Sequence, residues 1–517
     1  MHSTFKRAFL NRVGSLYLRK VYQDHIGFLR NARVTQERLF KQVQRQLAGT
    51  ALGTDIQVER HASFKEFVKS FGPQPYEFYE PYVKRVLQGE PRVLYKDDTE
   101  YFLVTSGNSG FNSKVIPCNT GLKQIIGKFQ QKVLSAIIPE CESFKLTSDR
   151  FAYGSRTQGE YMNGIPKDYI SGVLTSLIPG AFKEYVVPFM DTLGETCWET
   201  KLSNIIAQSR HRDIRLISGL PAYLLHVLKA MMDKMNISNL REIWPHLEVC
   251  VYSGTTVHPY ETTLNQLAGV ELKYFGAYVS TESPLGFEMP ALSTQKRHMF
   301  FVPDMVLYTF HDLNGPDAAP LTLDELRAGG EYLVNLGTPN GLIHYAIKDY
   351  IKVSDVQPFV QFELQGRYGS AINIAAEKVS ETEIGKTVHL LQERVPLKVE
   401  HVFVYPSDDT DAPRYEWVIA ADTTFTADEL SEHIDQALMN ISADYKEARL
   451  DTKVLAGPQV QVISPQLIKR YFQSRQGAGQ FKMKSAFSDK RAFLSYASHC
   501  NYEPKGGPAS PCPQRFA

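Results

Sequence analysis

The sequence predicts an α/β protein: a large N-terminal domain of β-sheets flanked by helices, and a smaller, mobile α+β C-terminal domain. Three observations carry this expectation. The chain has 517 residues, more than one core organises, since single hydrophobic cores stop growing near about 250–300 residues. Short apolar, strand-like runs ending in small or polar residues alternate with helical stretches through the first part of the chain. Beyond about Lys378 the texture becomes compact, with two capped helices and a strand pair. The expected bounds are 1–378 and 379–517.

Taken in order, GSLYLRKVYQDHIGFLRNARVTQERLFKQVQRQLAGT, from Gly14 to Thr50, spaces its apolar residues by three and four with charges between, as amphipathic helices do. FVKSFGPQPYEFYEPYVKRVLQGEPRVLY alternates Pro-rich connectors with a short helix, and YFLVTSG is a strand running into a loop. DIRLISG, LEVCVYSG, ELKYF and EYLVNLG are further strand candidates, and LISGLPAYLLHVL reads as a buried helix. Ser380 with Glu383, and Thr426 with Glu429, have capping-box spacing. VEHVFVYP and RYEWVIAAD form a strand pair around the polar turn SDDTDAP, and NYEPKGGPASPCPQRFA is a flexible tail.

Composition narrows the function classes. Lys plus Arg total 57 against 56 Asp plus Glu, a net charge of +1 that gives no overall electrostatic reason to expect nucleic acid or a membrane surface. No apolar run is long enough to span a bilayer. Lys6, Arg7 and Arg12 precede the first acidic residue, Asp24, without a secretory apolar segment, and the stretch reads as an ordinary first helix rather than a transit peptide. Six cysteines without CxxC pairs argue against zinc and disulfides and for a reducing cytoplasm. The expected partners are small molecules, with no obligate protein partner.

Five segments can carry chemistry. TSGNSGFNSK offers amides freed by Gly107 and Gly110, hydroxyls of Thr105, Ser106 and Ser109, and the charge of Lys114, which suit a polyphosphate, although the spacing is not that of a P-loop and such a loop can equally be a turn. In YVSTESP, Glu282 can hold Mg2+; alternatively Ser280 or Thr281 caps a helix with Glu282 in its first turn. Asp349, in GLIHYAIKDYIKV, can accept both hydroxyls of a ribose or be a solvated turn residue. Gly366 and Arg367 open a Gly/Ser stretch fit for a hinge, and QGAGQFKMKS places Lys482 and Lys484 behind two glycines.

In this order the segments are similar to those of adenylate-forming enzymes, and more narrowly the chain resembles the plant-type Gretchen Hagen acyl-acid amido synthetases. SGNSGFNSK is similar to the family's Ser-Gly-Thr-Ser-x-x-x-x-Lys, YVSTE to Tyr-Ala-Ser-Ser-Glu, and GLIHYAIKD to Gly-Leu-Tyr-Arg-Tyr-Arg-Val-Gly-Asp. YSGTTVHPY resembles the segment whose backbone lines the adenine, and LSEHIDQAL through QSRQGAGQFK resembles the closing domain. Departures are Asn108 for Thr, the order Gly110–Phe111, His344, Ala346 and Lys348 for Arg, Arg and Gly, and MKSA after Lys482; they suggest a divergent branch, bacterial in one reading.

The resemblance implies a large adenylate-forming domain and a C-terminal lid. It implies an ATP- and Mg2+-dependent ligase that converts a carboxylic acid to acyl-AMP and passes the acyl group to an amine, in most cases that of an amino acid. It places Thr105, Ser106, Gly107, Asn108 and Ser109 on the phosphates, with Lys114 as a further phosphate contact or as the loop's anchor, and Ser253, Gly254, Thr255, Tyr278, Ser280, Thr281, Asp349, Arg367 and Lys378 elsewhere on the nucleotide. Glu282 is the metal ligand and, with Lys482, catalytic; the acyl pocket is expected among helices between Gly121 and Ile178, with Leu174, Leu177 and Ile178 as core. An acyl-CoA ligase sharing the adenylate chemistry, and a catalytically silent nucleotide-binding scaffold, are the alternatives.

Overall fold

The computed structural model describes residues 2–104, 114–154, 156–157, 159–195, 197–254, 256–293, 297–313, 315, 319–368, 372, 374, 379–409, 412–451, 455–474 and 483–498. Of the expected site residues, Thr105, Ser106, Gly107, Asn108, Ser109, Thr255, Lys378 and Lys482 lie outside the described residues, as does the Pro-rich tail. Cys118, Cys141, Cys197 and Cys250 are free thiols.

Among the described residues, eleven strands form one large sheet. Its central strands, Ile214–Gly219, Val249–Ser253 and Lys273–Val279, are parallel, so their C-terminal ends share one edge. The strand after the turn, Pro284–Glu288, runs back antiparallel to Lys273–Val279. Further along the sheet Glu331–Gly337, Tyr345–Asp355 and Gln361–Arg367 form an antiparallel meander. A four-stranded sheet holds the hairpin Thr99–Val104 and Val115–Asn119, which pairs Val104 with Val115.

The central strands carry apolar residues on both faces because both faces are covered. One face joins the core of Phe40, Phe287, Phe362 and Tyr308; the other packs against Pro221–Met235 and His258–Ala268 around Trp244 and Leu228. LISGLPAYLLHVL is therefore not one helix. Leu216 to Gly219 complete a strand, and the helix starts at Pro221, which has no N–H to lose at a helix start. The connector FVKSFGPQPYEFYEPYVKRVL holds two helices, Phe64–Ser70 and Tyr76–Leu87, where the sequence suggested one.

The C-terminal part carries its own core. Lys398–Pro406, Tyr415–Asp422 and Gln459–Ile463 make a three-stranded sheet, with Gln459–Ile463 parallel to its neighbour. Glu381–Arg394 and Ala427–Ile441 pack on it through Ile384, Val388, Leu430 and Ile434, and both begin with the expected capping boxes. This part rests on the large one through an ion pair between Lys229 and Glu400, Tyr260 Oη at 3.3 Å from His401 Nδ1, and Phe472 stacked 5.1 Å from the His226 ring.

Candidate functional site

Sheet order brings the scattered motifs together. Ser253 ends one parallel strand and pairs with Ala277 of the next, so Gly254, with φ +82°, emerges beside Tyr278 and the Ser280–Ser283 turn. Ligands of open α/β sheets sit beyond such strand ends. Tyr252, just before Ser253, donates from its buried hydroxyl to Glu288, and Arg297 ties Glu288 to Glu261 at the head of the next helix. Burial raises the Glu288 carboxyl above its usual range, with Arg297 opposing. Gly276 is required here, because a Cβ would lie 2.6 Å from Glu288 Oε1 and 2.8 Å from Tyr252 Oη.

YVSTESP is a strand-to-strand turn, so neither Ser280 nor Thr281 caps a helix. Ser280 N donates to the Ser283 carbonyl at 3.0 Å, and Ser283 N returns a bond to Ser280 Oγ at 3.3 Å. The turn buries Glu282 to 6% exposure, where Tyr345 Oη donates to Glu282 Oε1 at 3.0 Å. Lys114 Nζ donates to the same Tyr345 oxygen at 3.4 Å and lies 5.1 Å from the Tyr76 ring centroid. Tyr76 Oη in turn donates to the Val115 carbonyl and accepts from Val115 N, both at 3.1 Å. The strand that follows the Ser/Gly/Asn loop is thus held at its first residue, and a cation, a phenol and a carboxylate stand in line.

Asp349 is not a turn residue; it lies within the strand Tyr345–Asp355 and is half-buried. Leu333 pairs with Tyr350 and Asn335 with Ala346, so Ile347, Lys348 and Asp349 face the single residue Val334. Such a bulge re-aims a side chain, and Tyr278 Oη donates to Asp349 Oδ2 at 2.7 Å. Burial, then the Asp349 charge, raise the Tyr278 hydroxyl pKa well above the ordinary tyrosine range, so it stays a donor. On the other side Asp349 pairs in register with Arg367, and Gly366 faces Tyr350 with φ +123°. The bulge also explains the family glycine: Lys348 occupies that position with φ +63°, a left-handed conformation glycine takes freely.

His344, which replaces a family Arg, turns inward. Its Nδ1 donates to the Phe71 carbonyl at 2.5 Å, and burial lowers its pKa to about 4, so it is a neutral structural group. Leu174 and Leu177 pack on the main core, as expected, but the span from Gly121 to Ile178 also contains strands such as Asp149–Ala152 and Ile165–Asp168 besides its helices. Tyr278 does not depend on the nucleotide for its packing, since it meets Phe362 edge-on at 6.3 Å. The residues not singled out in the sequence are Tyr76 and Tyr345; both lie inside segments already noted, and no local signal marks either until the sheet places Lys114 and Glu282 around Tyr345.

This architecture is the two-part fold of adenylate-forming ligases. The acyl acid amido synthetase AtGH3.15, in complex with 2,4-DB, superposes with a TM-score of 0.74 at 17% identity, covering 93% of this chain and 95% of that one. A 2-hydroxyisobutyryl-CoA ligase in the postadenylation state gives 0.58 at 9% identity, covering 96% and 92%. The GH3 family N-terminal domain matches residues 23–188 and the GH3 family C-terminal domain matches residues 382–491. The chain belongs to the GH3 family. A search of curated proteins found no match.

Proposed function

We propose that the protein is a cytoplasmic acyl-acid amido synthetase using ATP, with its parts divided at residues 378 and 379. The observation that carries the reading is the pair of carboxylates, Glu282 and Asp349, each held by a tyrosine hydroxyl at one edge of the sheet. Asp349 accepts the ribose hydroxyls; Ser253, Gly254 and Thr255 line the adenine, with Tyr278 beside them. Thr105 to Ser109 and Lys114 bind the β and γ phosphates. Arg367 and Lys378, near the junction of the two parts, complete the nucleotide contacts.

A buried carboxylate that keeps one oxygen on a phenol has its other oxygen to offer a hard cation, and magnesium is held by few protein carboxylates plus substrate phosphates. Glu282 would hold Mg2+, which supplies neutralisation of phosphate charge. In the first step a substrate carboxylate oxygen forms a bond to the α phosphorus and the bond to pyrophosphate breaks. Lys482 brings a cation to the oxygens that gain charge. The small domain then turns about residues near Gly366 to Lys378, an amine nitrogen attacks the acyl carbonyl, AMP leaves and a proton is released to solvent.

Pyrophosphate exchange into ATP that depends on a carboxylic acid tests the first step. Glu282→Ala and Lys482→Ala should abolish or greatly weaken it, and robust exchange in both would overturn these roles. Mass spectrometry with amino acids or CoA as acceptor separates the amide product from a thioester, and absence of exchange with a broad panel of acids would favour a silent scaffold.

A further inference from the structure

The near-zero charge of the whole chain hides a local imbalance in the first helix, His2–Arg30. Lys6, Arg7, Arg12, Arg19 and Lys20 precede the first acid, Asp24. One face of this helix is committed to the core. Leu18, His25 and Leu29 are buried, Asn11 exchanges hydrogen bonds with Thr147 at 2.9 and 3.0 Å, and Gly14 sits so close to Leu146 that a Cβ would meet it at 2.2 Å.

The opposite face is apolar and faces solvent. Phe5 is 75% exposed, Phe9 57%, Val13 49% and Leu16 61%. At about 100° per residue these four fall within an arc of about 80°, centred roughly 180° from Leu18. Arg12 and Arg19 border that arc on one side and Lys6 on the other, with Lys20 continuing it. All four basic residues are exposed. Lys6 reaches Glu184 at 3.2 Å, so its charge is partly answered within the protein, whereas Arg12, Arg19 and Lys20 lie along the stripe itself.

A helix already packed through one face gains nothing in folding from a second apolar stripe, which costs solubility when left in water. Aromatic and aliphatic side chains between basic borders are the pattern of helices that lie in the plane of a membrane interface, the apolar stripe in the acyl boundary and the basic groups on anionic headgroups. Among the described residues no helix is long and apolar enough to cross a membrane. We propose that the solvent face of His2–Arg30 docks the enzyme peripherally on an anionic lipid surface.

The test is flotation of the full chain with phosphatidylcholine vesicles, with and without phosphatidylserine, at low and high salt. Two variants accompany it: Phe5→Ser/Phe9→Ser/Val13→Ser/Leu16→Ser and Arg12→Gln/Arg19→Gln/Lys20→Gln. Their positions are exposed, so melting should be unchanged. The expected result is binding to the phosphatidylserine vesicles that weakens in high salt, with a loss of about a hundredfold on removing the three charges and at least about tenfold on removing the stripe. No flotation with anionic vesicles, or equal flotation of parent and both variants, would overturn the proposal. So would a dimer in light scattering that the stripe variant dissociates while lipid binding is absent, because the occupant would then be a second copy of the chain.

Discussion

Replacing Tyr345 with Phe isolates the link between Lys114 and Glu282. The ring is fully buried and lies 5.7 Å from the Tyr79 ring, so phenylalanine keeps the packing and leaves no cavity. What is lost is a donor at 3.0 Å to the Glu282 carboxylate and an acceptor at 3.4 Å for the Lys114 ammonium. A hydrogen bond to a charged group contributes about 1.5–3 kcal/mol. Urea unfolding should therefore show a loss of that order. To the extent that the same bond orients Glu282 in the transition state, acid-dependent ATP–pyrophosphate exchange should fall about 10- to 100-fold, each 1.4 kcal/mol being roughly tenfold. Tyr79→Phe removes a hydroxyl that donates to the Ile343 carbonyl instead, and serves as a control that costs stability without the same loss of exchange. Exchange by Tyr345→Phe within about twofold of the parent would refute the role of this tyrosine in orienting the carboxylate.

Three further outcomes follow from the geometry. Lys348→Gly should raise stability by about 0.5–1 kcal/mol in thermal or urea unfolding, because the bulge holds this residue at φ +63°. Gly276→Ala should cost about 1–3 kcal/mol, read in the same way, because its methyl would crowd Glu288 Oε1, Tyr252 Oη and Met299 Cε at once, and the first two are held together by their hydrogen bond. Acid should loosen the contact between the two parts of the chain. Burial, then Lys469 and Lys229, hold the His226 pKa down to about 4. Burial, then Arg297, Lys386 and His389, hold His258 to about 3, and burial holds His401 to about 4 against its bond with the Lys484 carbonyl. A depressed folded pKa means that stability is complete above the unfolded value near 6.5 and drains as pH falls toward 4, at up to about 1.4 kcal/mol per pH unit for each histidine. Melting between pH 7.5 and 4.5 should show this, and His226→Gln should flatten the slope.

The period of the apolar residues and the turn chemistry determined the main elements without tertiary information. The boxes at Ser380 and Thr426, the strands Ile214–Gly219 and Val249–Ser253, and the change of texture near the C-terminal part are local patterns that a chain carries in any context. The family too was legible, from the order of short motifs. The cap reading of Ser280 and Thr281 failed because a Ser-Thr-Glu tripeptide suits a helix start and a tight turn equally, and only the pairing of Tyr278 with Gly286 decides between them.

Part of the candidate site was legible in the sequence; its geometry was not. Glu282, Asp349 and Lys114 could be named from motifs, but Tyr345 joins two of them across separations of more than sixty and more than two hundred residues, as only sheet order can. The left-handed Lys348 and the aim of Asp349 come from a bulge defined by a neighbouring strand. The same holds for the first helix. Its charges and apolar residues are plain in the sequence, yet which apolar face is used by the core, and which is left facing water, depends on what the folded chain packs against it. Periodicity is a property of one segment, whereas burial, pairing and electrostatic neighbourhood belong to several segments at once.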